Sequence, residues 1–287
     1  MERQFLMNYL HDYHAGSATD VFKHIVLLAL VNALKKKETP FCYIDTHAGG
    51  GIYNLTAQPA QKTGEYQTGI AKLIDQPIIN SLLKQYLAII KKCNNETNDL
   101  IHYPGSPFIV QSELRKQDRM IIMDFKPAVY DQLKKIFAHN KQIQVHHHDA
   151  YLALKAFLPP KEKRGLVLID SPFEDINEFK LLTQNLSTAL QRWAHGIYAI
   201  WYPIKNRKQI EVFHQQIKKL PAATILVSEF CTWPDDVATR LNGSGMIMIN
   251  PPWQIDTILK DVLHELLQYL KQDKKAHTKT WWLKQPS

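Results

Sequence analysis

The chain has 287 residues, 45% of them apolar, and a formal charge of +8 from 35 Lys and Arg against 27 Asp and Glu. This composition suits one large globular domain, or one domain carrying an insertion, and its 11 Gly and 15 Pro exclude collagen-like and low-complexity chains. The positive balance is compatible with a polyanionic partner. In chain order, Ser17 and Asp20 have the spacing of a capping box with the shorter acid, and they open a helix. Val21, Phe22, Ile25, Val26, Leu28, Ala29 and Leu30 give it a wide apolar face, and Lys35 to Lys37 suit its C-terminus. A strand over 41–45 then runs into the turn Thr46-His47-Ala48-Gly49-Gly50-Gly51.

Strand signals fade over the next 70 or so residues, too long a stretch for a plain loop. Helical pieces at 70–74 and 78–92, with Gly64 and the turn Pro104-Gly105-Ser106-Pro107, mark it as a helical insertion. Alternation then resumes. Strands are expected at 120–124, 142–146, 165–170 and 196–201, with helices at 128–139, 151–158, 178–194 and 208–219 between and after them. Segments 223–230 and 246–250 are the last strand candidates, and 255–271 is a closing helix. Strands alternating with helices predict a doubly wound parallel α/β sheet. No good helix separates the last two strand candidates, so an antiparallel hairpin is expected at one sheet edge. The boundaries that follow are a main domain of residues 1–51 and 119–287 with an insertion at 52–118.

The longest strongly apolar run, 25–34, is interrupted by Asn32 and stops at Lys35. A membrane span needs about 20 residues, so none is expected. The first residues have acids and histidines where a signal peptide has a basic start and an apolar stretch. Cys42, Cys93 and Cys231 are far apart and form no CxxC pair, which argues against a disulfide framework or a zinc site and fits a reducing cytoplasm. His146, His147 and His148 point alternately to opposite faces of a strand, so no metal is expected there either.

Asp45, Asp124, Asp149 and Asp170 each fall at or just after the end of a strand. Ligands of open parallel sheets bind outside those ends, at the switch point in strand order. Asp124 suits ribose hydroxyls, and the glycine-rich turn after the first strand lets a ligand approach the backbone. Neither GxGxxG nor GxxxxGK[ST] occurs, so a nucleoside without pyrophosphate fits better than a dinucleotide or a nucleoside triphosphate. S-adenosyl-L-methionine is such a ligand.

The sharpest local signal is Asp170-Ser171-Pro172-Phe173. It is similar to the acid-or-amide, Pro, Pro, aromatic motif of adenine N6-methyltransferases. The exocyclic amine of adenine is a weak nucleophile because its lone pair is delocalised into the ring. A carboxylate and the next main-chain carbonyl can hold its hydrogens and favour the attacking form. An aromatic ring stacks on a base taken out of its stack. Ser171 keeps the carbonyl and loses the ring constraint, while Pro172 holds Ser171 extended. Asn250-Pro251-Pro252-Trp253 fits the motif better letter by letter, but it follows the last strand candidate, which is expected toward the sheet edge.

Taken together, the chain resembles the RlmJ-type methyltransferases, which modify one adenine of 23S ribosomal RNA at N6. The matching segments include Tyr9 with His14-Ala15-Gly16, Asp20-Val21-Phe22-Lys23-His24, Tyr43-Ile44-Asp45-Thr46-His47-Ala48-Gly49, Thr63-Gly64-Glu65-Tyr66 and Tyr103-Pro104-Gly105-Ser106-Pro107. They continue through Gly165-Leu166-Val167-Leu168-Ile169-Asp170, the stretch 196–203 and the stretch 244–253. The resemblance implies a seven-stranded Rossmann-like methyltransferase sheet with a small helical insertion. It implies that Lys23, His24, His47, Ser106, Asp124, Asp149, Ala150 and Asp170 surround S-adenosyl-L-methionine. It implies catalysis at Asp170 with Ser171, Pro172 and Phe173, and Tyr9 near the RNA. The expected partner is 23S rRNA free of ribosomal proteins, with no membrane, no metal and a monomer favoured. Ser171 departs from the family's usual proline, and Asp124 stands where glutamate is common. The same family has been described in the use of external DNA. A DNA adenine-N6 methyltransferase and a catalytically weakened nucleic-acid-binding protein are the alternative readings.

Overall fold

The computed structural model describes residues 10–97, 99–175, 177–235, 237 and 240–285. Ten strands and nine α-helices are seen among them. The first helix, α1 (Ala18–Lys35), leads to β1 (Cys42–Asp45). Between it and the next strand of the main sheet come β2 (Ile52–Asn54), α2 (Gln58–Thr63), α3 (Ser81–Cys93), β3 (His102–Pro104) and α4 (Ser106–Gln111). Then follow β4 (Arg119–Asp124), α5 (Pro127–Phe137), β5 (Ile143–His147), α6 (Ala150–Ala156), β6 (Gly165–Ile169), α7 (Glu178–Arg192) and β7 (Ile197–Ile204). The chain continues through α8 (Arg207–Lys218), β8 (Ile225–Cys231), β9 (Gly243–Ile249), α9 (Ile255–Leu270) and β10 (His277–Lys284).

The main sheet has eight strands in the order β10-β8-β9-β7-β6-β1-β4-β5, one more than the seven expected. The additional strand is β10, which pairs antiparallel with β8 along the outer edge. β5, β4, β1, β6 and β7 are mutually parallel. β9 runs antiparallel between β7 and β8. The expected antiparallel pairing of the last two strand candidates is seen, as β8 with β9, but their expected place at the sheet edge is corrected. β9 is an interior strand, and β10 takes the edge. β2 and β3 form a separate antiparallel pair inside the stretch expected as a helical insertion, beside its helices α2, α3 and α4.

Alternation along the strands divides the core into two layers. Tyr43, Met120, Ile122, Leu166 and Leu168 face the layer that contains α1, α3 and α9. Ile44, Ile121, Met123, Val167 and Ile169 face α6, α7 and α8. A helix buried on all sides must be apolar all round. α1 meets that requirement, because α3, α4 and α9 cover the flanks that the sheet leaves open. Its N-cap is Ser17, whose hydroxyl accepts the Asp20 N–H at 3.3 Å. Asp20 does not close the reciprocal bond of a capping box. Its carboxylate turns to the Gly16 N–H, His11 and Lys23 instead.

The order of strands places the switch point between β1 and β6. From β1 the chain steps outward through β4 and β5, then returns to the other side of β1 for β6 and β7. The carboxyl ends of all five strands meet there. Among the described residues no helix is long and apolar enough to cross a membrane.

Candidate active site

A cleft of about 980 Å³ opens at those carboxyl ends. The volume lies at the upper end of the range usual for small-molecule sites. One half is lined by Thr46, His47, Gly49, Gly50, Asp124, Phe125, Asp149, Ala150 and Tyr151, from the turns after β1, β4 and β5. The other half is lined by residues 170–175 with Trp201, Pro203, Lys205, Arg240 and Leu241. Asp20 and Lys23 of α1 reach the floor, and Leu10, His11, Asp12 and His14 border the opening.

The turn after β1 is held tightly. Gly49 adopts φ +60°, and a Cβ there would stand 2.2 Å from the Tyr53 hydroxyl. That hydroxyl accepts the Gly50 N–H at 3.0 Å. Only glycine tolerates both the backbone conformation and the close approach. Asp124 receives the N–H groups of Gly49 at 3.2 Å and Lys126 at 2.9 Å, which fixes its carboxylate at the cleft wall. Asp149 caps α6 by accepting the N–H groups of Tyr151 and Leu152, both at 2.9 Å.

Asp45, the first acid of the series, is fully buried and does not line the cleft. It accepts from the Tyr43 hydroxyl at 2.7 Å and the Ser106 hydroxyl at 2.6 Å. Burial raises its pKa, and these hydrogen bonds offset part of the rise. Ser106 thus stands one shell behind the lining. His24 is also behind it, fully buried, with Nδ1 bonded to the Tyr103 hydroxyl at 2.8 Å and Nε2 without a hydrogen-bond partner among the described residues. Burial, reinforced by the neighbouring Lys23 charge, lowers the His24 pKa and keeps the ring neutral. Tyr9 lies outside the described residues.

At the opposite wall, Asp170 follows β6. Its Oδ2 accepts from Lys23 Nζ at 2.6 Å, and Lys23 also pairs with Asp20 at 2.7 Å. Asp20 continues to His11 at 2.8 Å. A chain of alternating charge and imidazole therefore runs from the opening of the cleft to the motif acid. Lys23 is 4% exposed. Burial opposes its charge, but Asp170 and Asp20 outweigh that effect and raise its pKa above the ordinary value. For Asp20 burial acts to raise the pKa, and His11 and Lys23 pull it well below the usual carboxylate range.

Phe173 sits at φ +50°, a conformation uncommon for a bulky residue and typical of sites under functional constraint. Its ring packs on Phe179 at 4.8 Å and Trp201 at 6.0 Å between centroids. Asn250 is remote. β9 is antiparallel to β7, with Ile249 opposite Tyr198, so Asn250 lies at the amino ends of the parallel strands. Its amide donates to the Ala194 and Gly196 carbonyls at 2.8 and 2.9 Å. Strand direction, rather than the expected place toward a sheet edge, removes this second motif from the cleft.

The profile of the family described as ribosomal RNA large subunit methyltransferase D, RlmJ, matches residues 38–284. The chain belongs to the RlmJ family. This RlmJ-family chain is 39% identical over 265 residues to ribosomal RNA large subunit methyltransferase J of Haemophilus influenzae, covering 92% of this chain and 94% of that one. It is 36% identical over 278 residues to the protein of the same name from Escherichia coli, covering 97% and 99%. A crystal structure of a Legionella pneumophila protein superposes with a TM-score of 0.85 at 32% identity, over 93% of this chain and 98% of that one.

Of the residues singled out from sequence, the structure brings Lys23, His47, Asp124, Asp149, Ala150, Asp170, Ser171, Pro172 and Phe173 to one cleft. Asp20, His11, Tyr53, Tyr151, Glu178 and Trp201 also line it and were not among the expected site residues. Asp20 had a readable signal, since it stands one helical turn before Lys23. Glu178 had none, because its partners come from other elements. Away from the cleft, Cys231, Asp235 and His277 lie close together, but the Arg207 guanidinium already pairs with Asp235 and with Glu229.

Proposed function

We propose that this chain transfers a methyl group from S-adenosyl-L-methionine to N6 of an adenine in 23S ribosomal RNA. The observation that carries the reading is the Asp170 carboxylate beside the Ser171 main chain, set between a polar half-cleft and an aromatic one in a chain of the RlmJ family. The polar half suits the cofactor in its chemistry. Asp124 offers a carboxylate to ribose hydroxyls, Gly49 and Gly50, packed on Tyr53 and Gln132, shape the turn beside it, and His24 Nε2, without a hydrogen-bond partner among the described residues, is an unmet polar group just behind. The cofactor, when bound, supplies an electrophilic methyl group on sulfonium.

The protein's share is positioning and electrostatics. Lys23 occupies Oδ2 of Asp170, which fixes the plane of the carboxylate. Among the described residues Oδ1 has no hydrogen-bond partner, so it serves as acceptor for one amino hydrogen of adenine. The Ser171 carbonyl accepts the other. Phe173, backed by Trp201 and Phe179, offers a ring to stack on the extruded base. Lys205 and Arg240 at the rim suit the flanking phosphates.

The test is transfer of labelled methyl to protein-free 23S rRNA by the wild type and by Asp170→Ala. Strong labelling at adenine N6 by the wild type only is the expected result. Equal labelling by both would remove Asp170 from the chemistry. A DNA competitor in the same assay tests the polymer preference.

A further inference from the structure

Ser171 and Tyr151 come from different turns, yet both hydroxyls donate to one atom, Oε1 of Glu178. Ser171 is 3% exposed and Tyr151 8%, so both side chains are largely buried at the cleft wall. Ser171 lies immediately beyond β6, in the acceptor corner of the cleft. Tyr151 follows the Asp149 cap at the start of α6, and its ring meets His47 edge-on at 6.5 Å. Glu178 is the first residue of α7, where a negative side chain is favoured by the helix dipole. Burial, with the Glu178 charge added, raises the Tyr151 pKa, so its hydroxyl stays a donor. Charge-assisted bonds of this kind are roughly twice as strong as neutral ones.

We propose that Glu178 is a positioning residue: by gathering the Ser171 and Tyr151 hydroxyls onto one carboxylate oxygen, it fixes the main-chain carbonyl of Ser171 and ties the acceptor corner to the turn that opens α6. A proline at 171 would restrict the same backbone through its ring. Here side-chain hydrogen bonds supply the restraint. The catalytic consequence rests on the function proposed above, whereas the restraint itself does not.

The experiment uses the full chain with Glu178→Ala, Glu178→Gln, Ser171→Ala and Tyr151→Phe, each checked for a cooperative thermal transition. The first readout is amide hydrogen exchange at residues 173–175 in the free enzyme. Exchange should quicken in E178A and S171A, less in Y151F, and stay near wild type in E178Q, whose amide oxygen still accepts. The interior of α7 should not change in any of them. The second readout is steady-state methylation of protein-free 23S rRNA. In E178A kcat should fall about tenfold while KM for RNA moves less than about twofold, as expected when reacting groups are misplaced rather than unbound. The S171A/E178A double variant should be no slower than E178A, because both remove one unit. Wild-type exchange in both E178A and S171A, or losses that multiply in the double variant, would overturn the proposal. If the wild type methylates no RNA, the functional reading fails and exchange alone decides the clamp. If E178A does not fold, S171A and Y151F carry the same comparison.

Discussion

Replacing Lys23 with methionine tests whether the charge chain on the cleft floor is a buried network. Met keeps much of the stem's volume and removes only the charge and its donors. Lys23 and Asp20 are each 4% exposed, and the ammonium is shared between Asp20 and Asp170. Removing one partner of a buried pair costs about 3–5 kcal/mol. Asp20 would retain His11 and the Gly16 N–H, and Asp170 borders the cleft, so the lower end applies, about 3 kcal/mol. At about 2 °C per kcal/mol for a chain of this size, Tm should fall by about 6 °C. Asp20→Asn in the same molecule removes one stranded charge and should recover about 1–2 kcal/mol. The sign with pH is set by the depressed Asp20 pKa. Its contribution is present above the unfolded carboxylate value, about 3.9, and is lost as pH falls through the lower folded value. The raised Lys23 pKa puts the other limit on the alkaline side, with its contribution present below about 10.4 and lost as pH rises through the folded value. Urea unfolding at pH 7 and at pH 3 should therefore show a smaller penalty for K23M in acid. A loss below about 1 kcal/mol at pH 7, with no recovery in the double variant, would mean the ion pairs are solvated and the reasoning is wrong.

Three further outcomes follow from geometry. Asn250→Ala removes two bonds to the 194 and 196 carbonyls at the far end of the sheet, so stability should drop by about 1–2 kcal/mol while methyl transfer per folded molecule is unchanged; a specific loss of transfer would return Asn250 to the active site. Folded His24 stays neutral, so the unfolded chain binds the additional proton, and stability should decline as pH falls below about 6.5, by up to about 1.4 kcal/mol per pH unit for this one residue. His24→Gln should flatten urea midpoints between pH 5 and 6.5, and an unchanged slope would contradict the assignment. Gly49→Ala drives a Cβ into the Tyr53 hydroxyl, so affinity for S-adenosylhomocysteine by calorimetry should fall at least about tenfold, and Tyr53→Phe in the same chain should restore part of it; undiminished affinity would detach this turn from the cofactor.

The sequence carried most of the cleft because its acids sit on strand ends. An acid that terminates an apolar run is visible without coordinates, and Asp124, Asp149 and Asp170 all reach the lining. Asp45 shows the limit of the same rule, since its side chain turned inward to Tyr43 and Ser106. β10 escaped notice because seven of its eight residues, Lys279 and Lys284 among them, are polar or aromatic, and most are only half buried, as suits an edge strand. The interior place of β9 was not readable either, because alternation reports strands and not their order. Contacts between distant segments were silent for a similar reason. Lys23 and Asp170 are 147 residues apart, and nothing local in either segment marks the pairing.

The placement of β9 bears on how the sheet is assembled. After β7 the chain crosses through α8 and lays down β8 one strand width too far out, leaving a slot. Until Gly243–Ile249 enters that slot, β7 and β8 face each other with unpaired backbone along both margins. Residues 232–242 alone connect β8 to β9, so that antiparallel pair can form locally, and the slot closes when it docks on β7. A nascent chain that has made β7 and β8 but not yet β9 would be sticky at the slot, and a holdase recognising bare apolar strands would find its grip on those two margins.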